Sequence, residues 1–561
     1  MALQAKFSIS NLAVSRRWFQ HTHTQLLLLF LLVGLTYFPQ LGKPGPGLME
    51  ARNFISAREM VEDGNWLVPT LNGEVRLAKP PLPTWLTAVS GIAAGDIGNL
   101  VALRFPAAVM SALMVFFLYF LGRQLTRDKL TPFLAAAVLA SSLGLFNIGR
   151  EGSWDVYCHS FMLGALWLLV KGLRKEGGSY GTFALCGLLM GCSFLSKGPV
   201  AFYAMLLPFL VSYLYCFGRG DFWLKREELG LAFGVALLLS LAWPVFIFMV
   251  EPEALARNVS NESTAWVNRH VKPFWYYWGF WSQTGAWALF TLAALSVPYA
   301  RKRINRYVGS YTFILVWLAV AVLLLSVIPE KKERYLLPAI VPMALLTGGY
   351  VRYLLSGVWR SVKDNWAKRL LLFNTGLMLV AAIGFPVAAY ILAYQTGIIT
   401  LSYQLCLTVS SLILASSLLF ALLKQTAALA IVTVLLLNCL VLVSGFPLYE
   451  KIRHPVGSYR SLVHVRHEKE VSSYPFYAVD GLPIVHLWEV GKQVDTLRIQ
   501  NQRLQLPNEL PAVVFSPVTL TQAHMADTTV FVNKVDTYHV NRNNPEEVYH
   551  IYVLSVKKPS N

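Results

Sequence analysis

Ala427-Ala-Leu-Ala-Ile-Val-Thr-Val-Leu-Leu-Leu-Asn-Cys-Leu-Val-Leu-Val443 carries no charge from end to end. An α-helix rises 1.5 Å per residue, so about 20 such residues cross the roughly 30 Å hydrocarbon layer of a bilayer. The run extends over 426–446, and similar runs lie near 24–40, 100–122, 131–149, 155–172, 180–196, 198–217, 229–250, 278–300, 309–328, 336–355, 370–394 and 402–423. The expectation is an all-α polytopic membrane domain of about 13 transmembrane helices. Composition agrees. Only 14% of the 561 residues are charged, against about 25% in ordinary soluble domains, and 55% are apolar. Such a chain is not a soluble enzyme, a disordered protein or a disulfide scaffold. The six cysteines all fall in or beside apolar runs, with no C-x-x-C spacing, and read as buried apolar residues. The run at 24–40 follows Arg16 and Arg17 and lacks a small-residue cleavage site, so it reads as a retained first helix rather than a signal peptide.

The formal net charge is +18. On a soluble protein that would suggest nucleic acid. Its location says otherwise. With the N-terminus inside, the cytoplasmic segments hold 22 Lys+Arg, in the loops 123–129, 171–175, 219–226, 301–306 and 352–369, the N-terminal arm and Lys424, and 6 Asp+Glu once the flanking Glu176, Glu227 and Glu228 are counted. This is the positive-inside pattern, and an odd number of spans leaves the C-terminus outside. No nucleic-acid partner is expected. The tail, 447–561, is nearly neutral, with 12 Lys+Arg and 11 Asp+Glu. Its alternating stretches at 512–516, 529–533 and 550–554 read as strands. The expected organisation is a transmembrane domain over 1–446, containing a long extracytoplasmic first loop at 41–99, and a small extracytoplasmic α+β domain over 447–561.

The first loop is patterned. Met49-Glu-Ala-Arg-Asn-Phe-Ile-Ser-Ala-Arg-Glu-Met60 suits a helix lying in the interface. Asp63-Gly-Asn-Trp-Leu-Val-Pro69 is a turn with an aromatic anchor, and Ala78-Lys-Pro-Pro-Leu-Pro-Thr-Trp85 opens a second amphipathic segment. On composition alone, these are two solvated helices with interfacial tryptophans. Their order, an acid, x-Arg, G-x-W-x-x-P and K-P-P ahead of a Trp, resembles that of bacterial membrane glycosyltransferases. The family is the GT-C type, polyprenyl-phosphate-dependent one that includes the aminoarabinose transferase ArnT and the protein O-mannosyltransferases. Lys272-Pro-Phe-Trp-Tyr-Tyr277, Lys331-Lys-Glu-Arg-Tyr-Leu-Leu-Pro338 and Lys197-Gly-Pro199 also resemble its elements.

The resemblance implies sugar transfer from a polyprenyl (undecaprenyl) phosphate, with inversion, to a lipid A-like or protein acceptor on the periplasmic side of a bacterial inner membrane. The leaving group would be an anionic lipid phosphate, which needs cations. The candidates are Arg52, Lys79, Lys197, Arg257, Arg269, Lys272, Lys331 and Lys332, with Tyr335 as a further phosphate contact. Snorkelling at the interface would also explain these cations. His270 and Trp85 are candidates for sugar or acceptor contact. A hydroxyl acceptor needs a carboxylate base, whereas a phosphate acceptor needs mainly positioning. The family usually carries an acid where this chain has Met49, leaving Glu50 as the first catalytic candidate. Asp155, in Arg150-Glu-Gly-Ser-Trp-Asp155, is the second, with Glu151 behind it. Asp155 would equally serve as a helix N-cap. No cofactor is expected, with a divalent metal left open. The expected partners are the lipid-linked donor, the acceptor and membrane lipids, with the protein a monomer. A transporter or flippase of lipid-linked sugars, and a non-catalytic relative that binds them, are the rival readings.

Overall fold

The computed structural model describes residues 21–360, 364–453, 460–468, 471–525, 529–540 and 547–556. Arg16 and Arg17, called as part of a cytoplasmic arm, lie outside them. Each of the thirteen apolar runs is helical over much of its length. Among the described residues, seven helices are long and apolar enough to cross a membrane, and up to nine if two bent pairs each form one span; Thr22–Tyr37 and Phe202–Phe217 are shorter apolar helices.

The chain folds as two compact units. The first comprises residues 1–41, 78–83 and 104–448. Two of its helices are central: Trp154–Leu173 and Glu333–Leu355 are 83% and 89% buried in their most apolar windows. Arg226–Val250 and Asn365–Tyr394 are each only 22% buried and present Phe233, Leu238, Phe373 and Val380 outward, as lipid-facing helices do. Close packing needs small residues. A Cβ on Gly348 would lie 2.5 Å from the backbone nitrogen of Ala135, so this glycine sets how near Leu337–Leu355 and Thr131–Ala140 approach. Thr131–Ala140 stops at Ser141, and Ser142 caps the next helix by accepting from the Leu145 amide. The 56° bend between them carries the chain to Arg150 and the start of the next span. Helix Tyr180–Lys197 runs back along Trp154–Leu173 and ends at Gly198, whose φ of 66° and ψ of −148° suit glycine alone.

The second unit comprises residues 42–77, 84–103 and 449–561. Its division differs from the sequence boundary at 446/447, because most of the first loop packs with the tail. Helix Leu48–Glu62 buries Ala51, Phe54 and Ile55 in a core shared with Trp488 and Phe515. Asn72 exchanges hydrogen bonds with the Val494 backbone at 2.8 and 2.9 Å. The sheet has strands β1 (Phe476–Val479), β2 (Val494–Leu497), β3 (Ala512–Ser516), β4 (Val530–His539) and β5 (Val548–Val556), in the order β2-β1-β3-β5-β4. β1 is parallel to β2 and β3, whereas β5 is antiparallel to β3 and β4. β3 is buried along its whole length, as a central strand of apolar residues should be.

Candidate functional site: a chain of paired charges

The first unit gathers charged side chains at the starts of its two central helices. Ser153 takes the N-cap position of helix Trp154–Leu173, so Asp155 does not cap it. The Asp155 carboxylate is 2% exposed and forms an ion pair with Lys197, with Arg334 Nε 3.7 Å from its other oxygen. A carboxylate buried this deeply is stable only with such partners. Lys197 is the last residue of its helix, which ends at Gly198. The Lys197 ammonium also lies 5.0 Å from the centroid of the Tyr335 ring.

Tyr335 leads to a second carboxylate. Its hydroxyl donates to Glu330 Oε1 at 3.4 Å, and the same oxygen accepts from Lys332 Nζ at 2.8 Å and Arg269 Nε at 3.2 Å. Burial raises the pKa of Glu330, but the hydrogen bonds and charges of Lys332 and Arg269 outweigh it and hold the group below the usual glutamate value. The backbone fixes this convergence. Val271 and Glu330 form an antiparallel bridge, flanked by Lys272 N–H donating to Pro329 O and Lys331 N–H donating to His270 O. The Tyr277 hydroxyl and the Lys332 backbone exchange two further bonds, at 3.0 and 3.1 Å. A third acid, Glu262, pairs with Lys79 at 3.3 Å, and its charge also acts on Arg269. Beside the chain of charges, a cavity of about 410 Å³ is lined by Asn147, Glu151, Gln283, Lys332, Glu333 and Arg334.

Of the residues singled out in the sequence, Asp155, Lys197, Arg269, Lys332 and Tyr335 are thus brought together, and Lys79 joins through Glu262. Others are placed differently. Lys331 is buried, and its amine donates to the backbone carbonyls of Ile328 and Lys272 at 2.6 and 3.1 Å; its neighbour Lys332 holds Glu330. Arg257 is exposed beside Glu253, 3.9 Å away, and Lys272 is also exposed. His270 sits at φ 51° and contributes its backbone carbonyl to the bridge. Glu50, Arg52 and Trp85 belong to the second unit. There Glu50 accepts from Gly47 N–H at 3.1 Å, capping helix Leu48–Glu62. Arg52 Nη1 lies 3.8 Å from the Met49 sulfur, and Trp85 Nε1 donates to Trp66 O at 2.7 Å. Glu330, Glu262 and Arg334 were not singled out. Among the described residues, no group of three or more His, Cys, Asp or Glu is placed to hold a metal.

The fold and this chain of charges define a polytopic helical membrane protein with a set of carboxylate-paired cations at one end of its central helices. Similarity to known proteins narrows the class. A family model described as dolichyl-phosphate-mannose-protein mannosyltransferase matches residues 78–248. Among curated relatives, an undecaprenyl phosphate-α-4-amino-4-deoxy-L-arabinose arabinosyl transferase of Pseudomonas fluorescens is 29% identical over 398 residues, 66% of this chain and 65% of that protein. Its counterpart from Yersinia enterocolitica is 28% identical over 362 residues, 62% of each chain. The match thus spans just under two thirds of these relatives' length. The crystal structure of ArnT from Cupriavidus metallidurans bound to undecaprenyl phosphate superposes with a TM-score of 0.67 at 17% identity, over 96% of this chain and all of that one. The resemblance read in the motifs is borne out: the chain has the GT-C type fold of ArnT and is similar in sequence to that family.

Proposed function

We propose that this protein is an integral-membrane glycosyltransferase that moves a sugar from a polyprenyl phosphate, in the manner of undecaprenyl phosphate, to a lipid A-like or protein acceptor. The observation that carries the proposal is the convergence of Arg269, Lys332, Lys197, Arg334 and Tyr335 in one unit beside a cavity. In the reaction an acceptor oxygen bonds to the anomeric carbon from the face opposite the phosphate. The bond from that carbon to the phosphate oxygen breaks, and its electron pair stays on the phosphate. The configuration inverts and the lipid leaves as a phosphomonoester. Arg269 and Lys332 offset the charge gathering on that oxygen. A hydroxyl acceptor gives its proton to a carboxylate, for which Asp155 is the candidate in this unit; an ionised phosphate acceptor has none to give. The cations supply the positive charge, so activity is expected to survive chelation of divalent metals.

The topology in this reading is thirteen crossings in a bacterial inner membrane, with the N-terminus cytoplasmic, the tail periplasmic and the protein a monomer. The basic loops support the orientation. Met49 favours a second reading, a relative that binds the lipid-linked sugar without transferring it. A transfer assay separates the two: purified protein, defined polyprenyl-phosphate sugars, and lipid A or peptide acceptors, with products resolved by mass. Product formation lost in R269A supports transfer at this site. Donor binding without product on any acceptor favours the second reading.

A further inference from the structure

Glu330 stands where a phosphate would otherwise be wanted. It is an acid in the middle of a cation set, and one of its oxygens takes Arg269, Lys332 and Tyr335 together. A carboxylate there should weaken the grip on any anion. We infer that Glu330 acts as a fixed internal counter-charge that selects against the leaving lipid phosphate and so promotes product release. The inference rests on the reading of this cluster as the donor phosphate site.

The argument is one of charge. The donor is a phosphodiester with one negative charge. The product is a phosphomonoester, whose second ionisation near pH 6 gives it about −1.5 to −2 at neutral pH. Arg269, Lys332, Lys197 and Arg334 attract the product more strongly than the donor, in proportion to its charge. Unopposed, such a set would hold the lipid it has just made. Repulsion from an ionised Glu330 also grows with the ligand's charge, so it takes more from the product than from the donor. The groups facing Glu330 are Arg269 on one segment and Lys332 and Tyr335 on its own, with Tyr277 packed behind Lys332. The lysine and arginine keep their charge from pH 5 to 7.5, and the phenols stay neutral.

The test is equilibrium binding to the purified full chain in nanodiscs, with two probes: undecaprenyl phosphate, and its methyl phosphodiester. At pH 7.5, E330Q should bind the monophosphate about tenfold more tightly than wild type, and the diester about threefold or less, as one added like-charge interaction implies. The monophosphate advantage should shrink to that of the diester at pH 5, where the monoester takes up its proton. His270 adjoins Arg269, so the pH series is repeated in H270N, with the same outcome expected. E330D, which keeps the charge, should behave as wild type. Weaker binding of both probes by E330Q, or equal tightening of both, would overturn the inference and leave the site reading standing. Undiminished monophosphate binding in R269A would remove the site reading itself. A measurement on wild type alone guards against a misfolded variant. Its preference for monophosphate over diester at pH 7.5 should stay under about threefold despite the cations, and a preference of tenfold or more would overturn the counter-charge role.

Discussion

Asp155 and Lys197 form a buried pair whose halves depend on each other. Asp155→Asn leaves the Lys197 ammonium facing Arg334 without its counter-ion, in a site where both pair members are under 10% exposed. Breaking a buried pair from one side costs about 3–5 kcal/mol, whereas removing both charges is often nearly neutral. D155N should therefore lower the thermal unfolding temperature in detergent, and D155N/K197M should recover most of the loss. Turnover should not recover, since the double variant lacks both the carboxylate and a cation of the proposed site; a decrease of 100-fold or more is expected, the scale of a lost acid–base group. Recovery of both stability and turnover would make the pair structural only. At this scale the sequence was partly legible. Asp155 and Lys197 stood out because charges at membrane-helix ends are costly, and Lys79 because of its K-P-P setting. Glu330 and Glu262 did not, because the partners that pick them out come through space, Arg269 from 61 residues away and Lys79 from 183, and Lys332 beside Glu330 in sequence says nothing by itself. Nor could sequence separate Lys331 from Lys332. Successive residues of an extended segment point to opposite sides, and only the pairing of this segment with 270–272 decides which lysine meets the carboxylate.

The elements hold the site through two devices. One is the short ladder between 270–272 and 329–331, which places Glu330 among its cations. Glu330 is held below the ordinary glutamate value, so it binds fewer protons folded than unfolded over that range. Its contribution is complete above the unfolded value near 4.3 and is lost as pH falls through the lower folded value. Wild type should lose thermal stability more steeply than E330Q between about pH 5 and pH 3. Parallel acid limbs would show that the Glu330 ion pairs contribute nothing to stability. The other device is close helix packing at Gly348. A methyl there meets Ala135 backbone nitrogen and Cα at 2.5 and 2.6 Å, and neither can swing aside. G348A should cost about 1–3 kcal/mol, the usual range for overpacking, read as a drop in thermal unfolding temperature. An unchanged temperature would mean that the two helices part without cost. Apolar runs reveal such helices, but not which glycine is the point of contact.

For the whole molecule, hydrophobic runs made the helical architecture legible, while the makeup of the second unit was not. It joins 42–77 and 84–103 to a tail more than 300 residues later, and the pairing of Asn72 with Val494 has no local signal. What the sequence does carry at this scale is orientation. The cytoplasmic assignment collects 22 Lys+Arg against 6 acids, whereas the tail is balanced. Inverting the topology would move this excess across the membrane, against the rule that basic short loops stay inside. Two positions test it, each as a single cysteine in a background with the native cysteines replaced. Asn501, at φ 50° in an exposed turn of the second unit, should react with a membrane-impermeant maleimide in intact spheroplasts. Arg306, exposed on helix Val297–Val308, should react only after lysis. The reverse pattern would place the tail in the cytoplasm, on the wrong side for a periplasmic acceptor, and labelling of both in intact spheroplasts would require an even number of spans between them.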